Sequence, residues 1–482
     1  MKPLRSAIVV ATLVTLSTVV PAAASGTFAW SKAMQAALPA GARGLPSGYL
    51  PALSCVSAGN CEAGGSYTAA SSFVEGLVLN EVNGTWTAPT TLVAPAGAAT
   101  EPGMTVYGLS CGSLGNCSAV GSYQDGNTNI QAFVANEVGR KWLPAKEVTL
   151  PSNAVGTGQV ALVRSVVCSS GGNCSAVGGY LDNNASTSRT VGFVTSEVGG
   201  SWQNATEIAL TSSTNSNPYV TMNQIACASV GNCVAVGSFI DVNVVNEGLL
   251  VDQVNGVWGQ GLTLTLPANA SAYAGTSVSE VACVKRATCA VLGTFNTNTG
   301  AIEGLSATES KGKWSRAQEL TMPSDAATNP HVFLYGYEGI ACASVGNCSL
   351  GGQYKNSAGK YEGFLENENG GTWKRAVPLA LPSGALEAGK NGGVVAISCP
   401  RVGNCRAGAA YLDGTNAYQA MVVTETNGTW HRGTLVVLPG GATTVGVDGG
   451  VYAVVCVTTN TCTATGSYLR SSTMYEGFIL NS

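Results

Sequence analysis

The chain has 482 residues and a formal net charge of −4, with 10% charged and 45% hydrophobic side chains. So little charge, with no basic stripe, excludes the electrostatic footprint of a nucleic-acid binder. Its 62 glycines, set against that hydrophobic content, punctuate a buried β protein and exclude a disordered chain.

Residues 1–25 begin with Lys2 and Arg5, run apolar from Ala7 to Val20 and reach Ala22, Ala23 and Ala24. That is the pattern of a secretory signal peptide, leaving 26–482 as the mature chain and placing it outside the cell. No cysteine precedes Cys55, so no lipid anchor is expected. No later apolar run approaches the roughly 18 residues of a membrane-spanning helix.

From there a single unit repeats. Cysteines fall in pairs six positions apart: Cys55 and Cys61, Cys111 and Cys117, Cys168 and Cys174, Cys227 and Cys233, Cys283 and Cys289, Cys342 and Cys348, Cys399 and Cys405, Cys456 and Cys462. Successive first cysteines lie 56 to 59 residues apart. Each unit has an apolar run ending in the first Cys, a turn of Ser, Gly and Asn, and a second run opening on the second Cys. A polar loop, a third run, a Gly turn, a Trp-containing fourth run and a long loop follow. Apolar runs between Gly, Asn and Ser clusters, without helical periodicity, read as strands. Four short strands make one antiparallel blade, and eight blades in a circle make an all-β, eight-bladed β-propeller.

A linear solenoid has the same periodicity. The chain ends separate the two. The last unit stops at Ser482 without a Trp strand, while residues 26–39 carry Trp30 in a segment matching the Trp strands. A ring is closed by pairing the first segment with the last blade, which removes an open edge. The cysteine pairs flank hairpin turns in an exported chain, so one disulfide per blade is expected. Each is worth about 2 kcal/mol by loop entropy. Zinc pairs show two to four intervening residues, and the chain has only two histidines.

The turns before the Trp, at Glu81 to Trp86, Gln253 to Trp258 and Glu425 to Trp430, resemble the Asp-box, or bacterial neuraminidase repeat, of sialidase-like propellers. The mature chain also resembles Cys-containing propeller-like repeats of secreted actinobacterial proteins. Here the acid is mostly Glu, five before the Trp, and the Gly two before it, so the likeness is one of architecture. In that family the box is structural, which implies that Glu81, Glu137, Glu197, Glu309, Glu368 and Glu425 hold turns.

The turns after the first and third strands are short and repetitive; the loops on the opposite face vary. Function concentrates in variable loops on a rigid scaffold. On that face Tyr219, Tyr273, His331, Tyr335 and Tyr337 are candidates for stacking on sugar rings, with Glu303 and Glu362 as carboxylate neighbours in an acidic ring shared with Glu75, Glu247 and Glu476. Asp125, Asn127 and Asn129 space their oxygens as a calcium loop begins, without its closing Glu. Turn formation explains the same residues. For an enzyme, Arg43, Arg164, Tyr107 and Glu338 supply a cation, a nucleophile and an acid, and Glu280 with Glu338 supplies two carboxylates. The reading is a secreted, non-catalytic scaffold that binds glycan or an extracellular protein through the variable face. The alternative is a sialidase-like glycoside hydrolase or lyase acting on extracellular glycans. No cofactor is implied beyond the calcium candidate.

Overall fold

The computed structural model describes residues 28–43, 50–183, 189–211, 214–273, 275–285, 288–335, 338–383, 385, 392–415, 417–440, 449–471 and 474–482. The expected leader and Tyr337 lie outside these residues. Among them the structure is all β: eight antiparallel sheets and no helix.

Blade 1 comprises Ala52–Ser57, Asn60–Thr68, Val74–Val82 and a fourth strand in two pieces, Thr85–Trp86 and Thr90–Thr91. The strands lie in sequence order across the sheet. Blades 2 to 8 start at Thr105–Ser113, Leu162–Ser170, Thr221–Ser229, Thr276–Lys285, Ile340–Ser344, Gly393–Arg401 and Gly450–Thr458. Each of these first strands touches those of its two neighbours, and blade 8 touches blade 1, so together they enclose the axis. In blade 8, Met34 pairs with Ile479 and Gln35 with Phe478. These residues correspond to Thr90–Thr91 of blade 1. Trp30 packs half-buried beside the core of blades 7 and 8.

All eight cysteine pairs are disulfide-bonded within their own hairpins. The Gly between them has a physical reason. Gly59 has a φ of +67°, and a Cβ there would lie 2.7 Å from the backbone N of Gly84. The Gly84 N–H donates to the Gly59 carbonyl at 2.8 Å, tying one short turn to the other on this face.

At Glu81, Glu137, Glu197 and Glu425 the recurring Glu, expected to hold its own turn, also latches one blade to the next. Asn367 of blade 6 accepts the Trp430 indole N–H at 3.0 Å and donates to Glu425 at 2.5 Å, both in blade 7. Asn136 makes the same two bonds to Trp202 and Glu197. Asn481 of blade 8 reaches Glu81 of blade 1 at 3.0 Å, across the ends of the chain. Between blades 3 and 4 the pair is replaced consistently: Gln253 and Trp258 both donate to the Ser196 hydroxyl. Between blades 4 and 5 an acid takes the amide's place. Asp252 accepts from Trp314, and burial together with the Asp252 charge pushes Glu309 up to about 7.

The second strand of each blade is largely buried, and six of them carry a buried tyrosine near the end. In five the hydroxyl donates to a carboxylate: Tyr67 to Glu75, Tyr123 to Glu147, Tyr180 to Glu207, Tyr354 to Asp325 and Glu362, Tyr468 to Glu476. Three members of the expected acidic ring are thus engaged inside their own blades.

Candidate functional site

The first strands do more than enclose the axis. In six blades their ladder to the second strand skips one residue, at Tyr107, Arg164, Asn223, Ser279, Val395 and Tyr452. Each stands four positions before its first Cys, where blades 1 and 6 carry Pro51 and Glu338. A bulge leaves one residue unpaired and re-aims its side chain. Repeated round the axis near the variable-loop end of the strand, it supplies six of a ring of eight positions, among them residues as different as Tyr107, Arg164, Asn223 and Val395.

One cavity, of about 230 Å³, takes in five members of this ring, Pro51, Tyr107, Arg164, Asn223 and Glu338, with Gln224 beside them. The Arg164 guanidinium lies 5.8 Å from the centre of the Tyr107 ring, a cation–π arrangement. Asn223 is held by its amide N–H on the Val278 carbonyl at 2.8 Å, and Gln224 by the Val281 N–H at 2.6 Å. Burial pushes the Glu338 carboxyl up to about 7, within reach of acid–base work at neutral pH. The structure therefore brings together Tyr107, Arg164 and Glu338. Arg43 stays apart, its guanidinium on the Ser72 hydroxyl at 2.7 Å. Glu280, on the neighbouring first strand, is buried with its carboxyl packed over Gly339.

A second, larger cavity of about 470 Å³ opens between blades 6, 7 and 8. His331, Phe333, Tyr335, Tyr361, Tyr418 and Tyr452 line it. His331 has a φ of +44°, uncommon for a residue with a side chain. The preceding Asn-Pro sets this geometry, because Asn329 Oδ1 accepts the His331 N–H at 3.2 Å and the Ile302 N–H at 3.1 Å. The His331 ring meets Tyr361 edge-on at 5.9 Å, and Phe333 meets Tyr335 edge-on at 5.1 Å. Tyr335 lies over Gly393, where a Cβ would stand 2.5 Å from its ring. Burial and the neighbouring Tyr418 push the Tyr335 phenol up to about 12, so it stays a neutral hydrogen-bonding group.

The other candidates lie elsewhere. Tyr219 and Tyr273 are 56% and 87% exposed and line neither cavity. Glu362 accepts from Tyr354 and from Asn356, and Glu303 is pushed up to about 7 by burial and by Glu319. In the calcium candidate, Asp125 Oδ1 accepts the backbone N–H groups of Asn127 and Asn129 at 2.8 and 2.9 Å. Its Oδ2 accepts the side chains of Asn129 and Gln131, while Asn129 Oδ1 accepts from Gly158 and Gln159. Those oxygens are committed to a turn. Burial alone would raise the Asp125 pKa, but these bonds outweigh it and lower it. Glu62, Cys117 and Glu137 also converge at the blade 1–2 seam, but the Cys117 sulfur is bonded to Cys111.

Sequence reasoning missed Asn223 and Gln224 in the axial cavity and Tyr361, Tyr418 and Tyr452 in the aromatic one. Both signals were positional. The axial ring is the residue four before each first Cys. Tyr361 and Tyr418 open their third strands, a place held by Val74, Ile130 and Ile302 in other blades.

No protein-family model and no curated protein sequence matches the chain. Solved structures similar to it are β-propellers. One is a polysaccharide lyase of the ulvan lyase kind: 10% identity, TM-score 0.43, 76% of this chain and 90% of that one. Another is a Hadza microbial sialidase: 12% identity, TM-score 0.38, 84% of this chain and 73% of that one. A third is the Aleuria aurantia lectin bound to a methyl fucoside: 14% identity, TM-score 0.33, 71% of this chain and 99% of that one.

Proposed function

We propose that the protein is a secreted, non-catalytic scaffold that binds glycan through the variable-loop face. The observation that carries this is the cavity between blades 6 and 8, where six aromatic or imidazole rings line about 470 Å³. That volume falls in the ordinary range for ligand cavities, which combine apolar walls with a few placed polar groups. Rigid blades present the rings with little ordering cost on binding. Eight disulfides favour an oxidising compartment outside the cytosol. The test is a glycan array probed with the disulfide-intact protein and with Tyr361→Ala. Signal from the wild type that the variant loses supports the reading; silence of both overturns it.

One observation favours the second reading, a glycan-cleaving enzyme: Tyr107, Arg164 and Glu338 share the axial cavity, and Glu338 titrates near 7. Convergence of that kind marks catalytic sites as well as binding ones. Turnover of oligosaccharides that Glu338→Gln abolishes would establish it.

A further inference from the structure

The lining of the aromatic cavity has a property that bears on which sugars fit it. Among its described residues there is no Asp, Glu, Lys or Arg, and His331 is the sole residue able to carry a positive charge. Glu362 follows Tyr361 on the strand Tyr361–Asn369, and successive strand residues point to opposite faces. Glu362 accordingly meets Tyr354 and Asn356 on the far side. What remains is a wall of aromatic and imidazole rings, phenol hydroxyls and the Gln353 amide, whose Nε2 donates to the Gly392 carbonyl at 3.1 Å.

Aromatic faces carry the negative part of the ring quadrupole and the edges the positive part. A pyranose offers such a face its C–H groups, which are weakly positive, and keeps its hydroxyls for the rim. A carboxylate or sulfate offers negative charge to negative faces and must leave water with no lysine or arginine among the described lining residues to pair with. The phenol of Tyr335 stays protonated through the physiological range, so it donates to a sugar oxygen without adding charge. The axial cavity differs in kind, since Arg164 stands there.

We infer that the aromatic cavity of blades 6 to 8 is a subsite for neutral sugar rings, selecting them over uronate, sialate and sulfated sugars. This rests on the glycan-binding reading and deepens it. Tyr361 and Tyr418 stand on neighbouring blades at the opening of their third strands, so they grip the ligand from two sides. Because no ion pair forms, binding is insensitive to salt.

The experiment uses the disulfide-intact mature protein against matched oligosaccharides: neutral hexose and 6-deoxyhexose oligomers beside counterparts carrying uronate, sialate or sulfate. Titrations run at low and high salt, with Tyr361→Ala and Tyr418→Ala in parallel. The expected result is binding of neutral oligomers, unchanged by salt, and weakened roughly fivefold or more in either variant, the loss of one ring contact. Binding confined to the acidic counterparts overturns the inference and leaves glycan binding standing. Neutral binding indifferent to both variants overturns the assignment to this cavity. No binding of either class overturns the glycan-binding reading along with the inference. Should a variant fail to fold, the salt-independent preference of the wild type for neutral over acidic oligomers still decides the matter.

Discussion

Glu62 carries a prediction that runs against the usual behaviour of carboxylates. It lies buried at the blade 1–2 seam with Oε2 lacking a hydrogen-bond partner. Burial first, and then the Glu137 charge, pushes its pKa up to about 9, against 4.5 for the free side chain. Between those values the unfolded chain has released the proton that the folded chain still holds. Stability therefore falls as pH rises, and the contribution is complete only below the unfolded pKa. At pH 8 the full shift would cost nearly 5 kcal/mol at about 1.4 kcal/mol per pH unit; relaxation of the coupled Glu62–Glu137 pair reduces this to roughly 2–4 kcal/mol. Glu366, pushed up to about 8 by burial, acts in the same direction. Glu62→Gln keeps the shape and removes the titration. Thermal unfolding of both proteins at pH 4 and at pH 8, disulfides intact, is the assay. The variant should match the wild type at pH 4 and exceed it at pH 8. A wild-type Tm that rises from pH 5 to pH 8, or a variant shift equal at both pH values, would refute the reasoning.

Three further outcomes follow from the seams and the cavity. Asn136→Ala removes the amide shared by Trp202 and Glu197, leaving two buried partners unmet; denaturant titration should show a loss of about 2–4 kcal/mol. Asp252→Asn supplies the amide that other seams already use and relieves Glu309; it should raise stability at pH 8 by about 1–2 kcal/mol and do nothing at pH 4, read by the same melts. Gly393→Ala places a Cβ within 2.5 Å of the Tyr335 ring. It should displace that ring, change the near-ultraviolet circular dichroism and weaken neutral-sugar binding, while the far-ultraviolet spectrum stays that of the wild type.

The repeat was legible because its spacing is set by hard constraints. Two cysteines in one hairpin, a Gly such as Gly59 in a left-handed turn and a Trp such as Trp430 at a blade seam each admit few substitutes. The match between the Trp30 segment and the other Trp strands indicated which chain ends would meet. Less legible was the partner of each recurring Glu. Glu197 and its Asn136 partner are 61 residues apart, so a reading confined to one unit assigns the Glu to its own turn. The candidate site was half legible for a related reason. Tyr107, Arg164 and Glu338 are recognisable by their chemistry, whereas Asn223 is an uncharged amide inside the strand Thr221–Ser229. Its position four before Cys227 was the telling feature, since a bulge there turns it toward the axis. Tyr361 and Tyr418 belong to no motif of the repeat, and only the placement of blades 6 and 7 side by side brings them to one cavity. Conversely, Tyr273 had the right chemistry and the wrong neighbours: it is exposed on a loop with no second ring of the cavity beside it.

Saturation-transfer NMR with a neutral oligosaccharide selected on the array tests the central claim most directly, because it reports which face of the sugar meets the protein while the variants report where. The sugar's C–H face should receive most of the transfer, and the transfer should weaken in Tyr361→Ala and in Tyr418→Ala. Transfer that survives in Tyr361→Ala and Tyr418→Ala but is lost in Tyr107→Ala or Arg164→Ala would move the site to the axis and contradict the account.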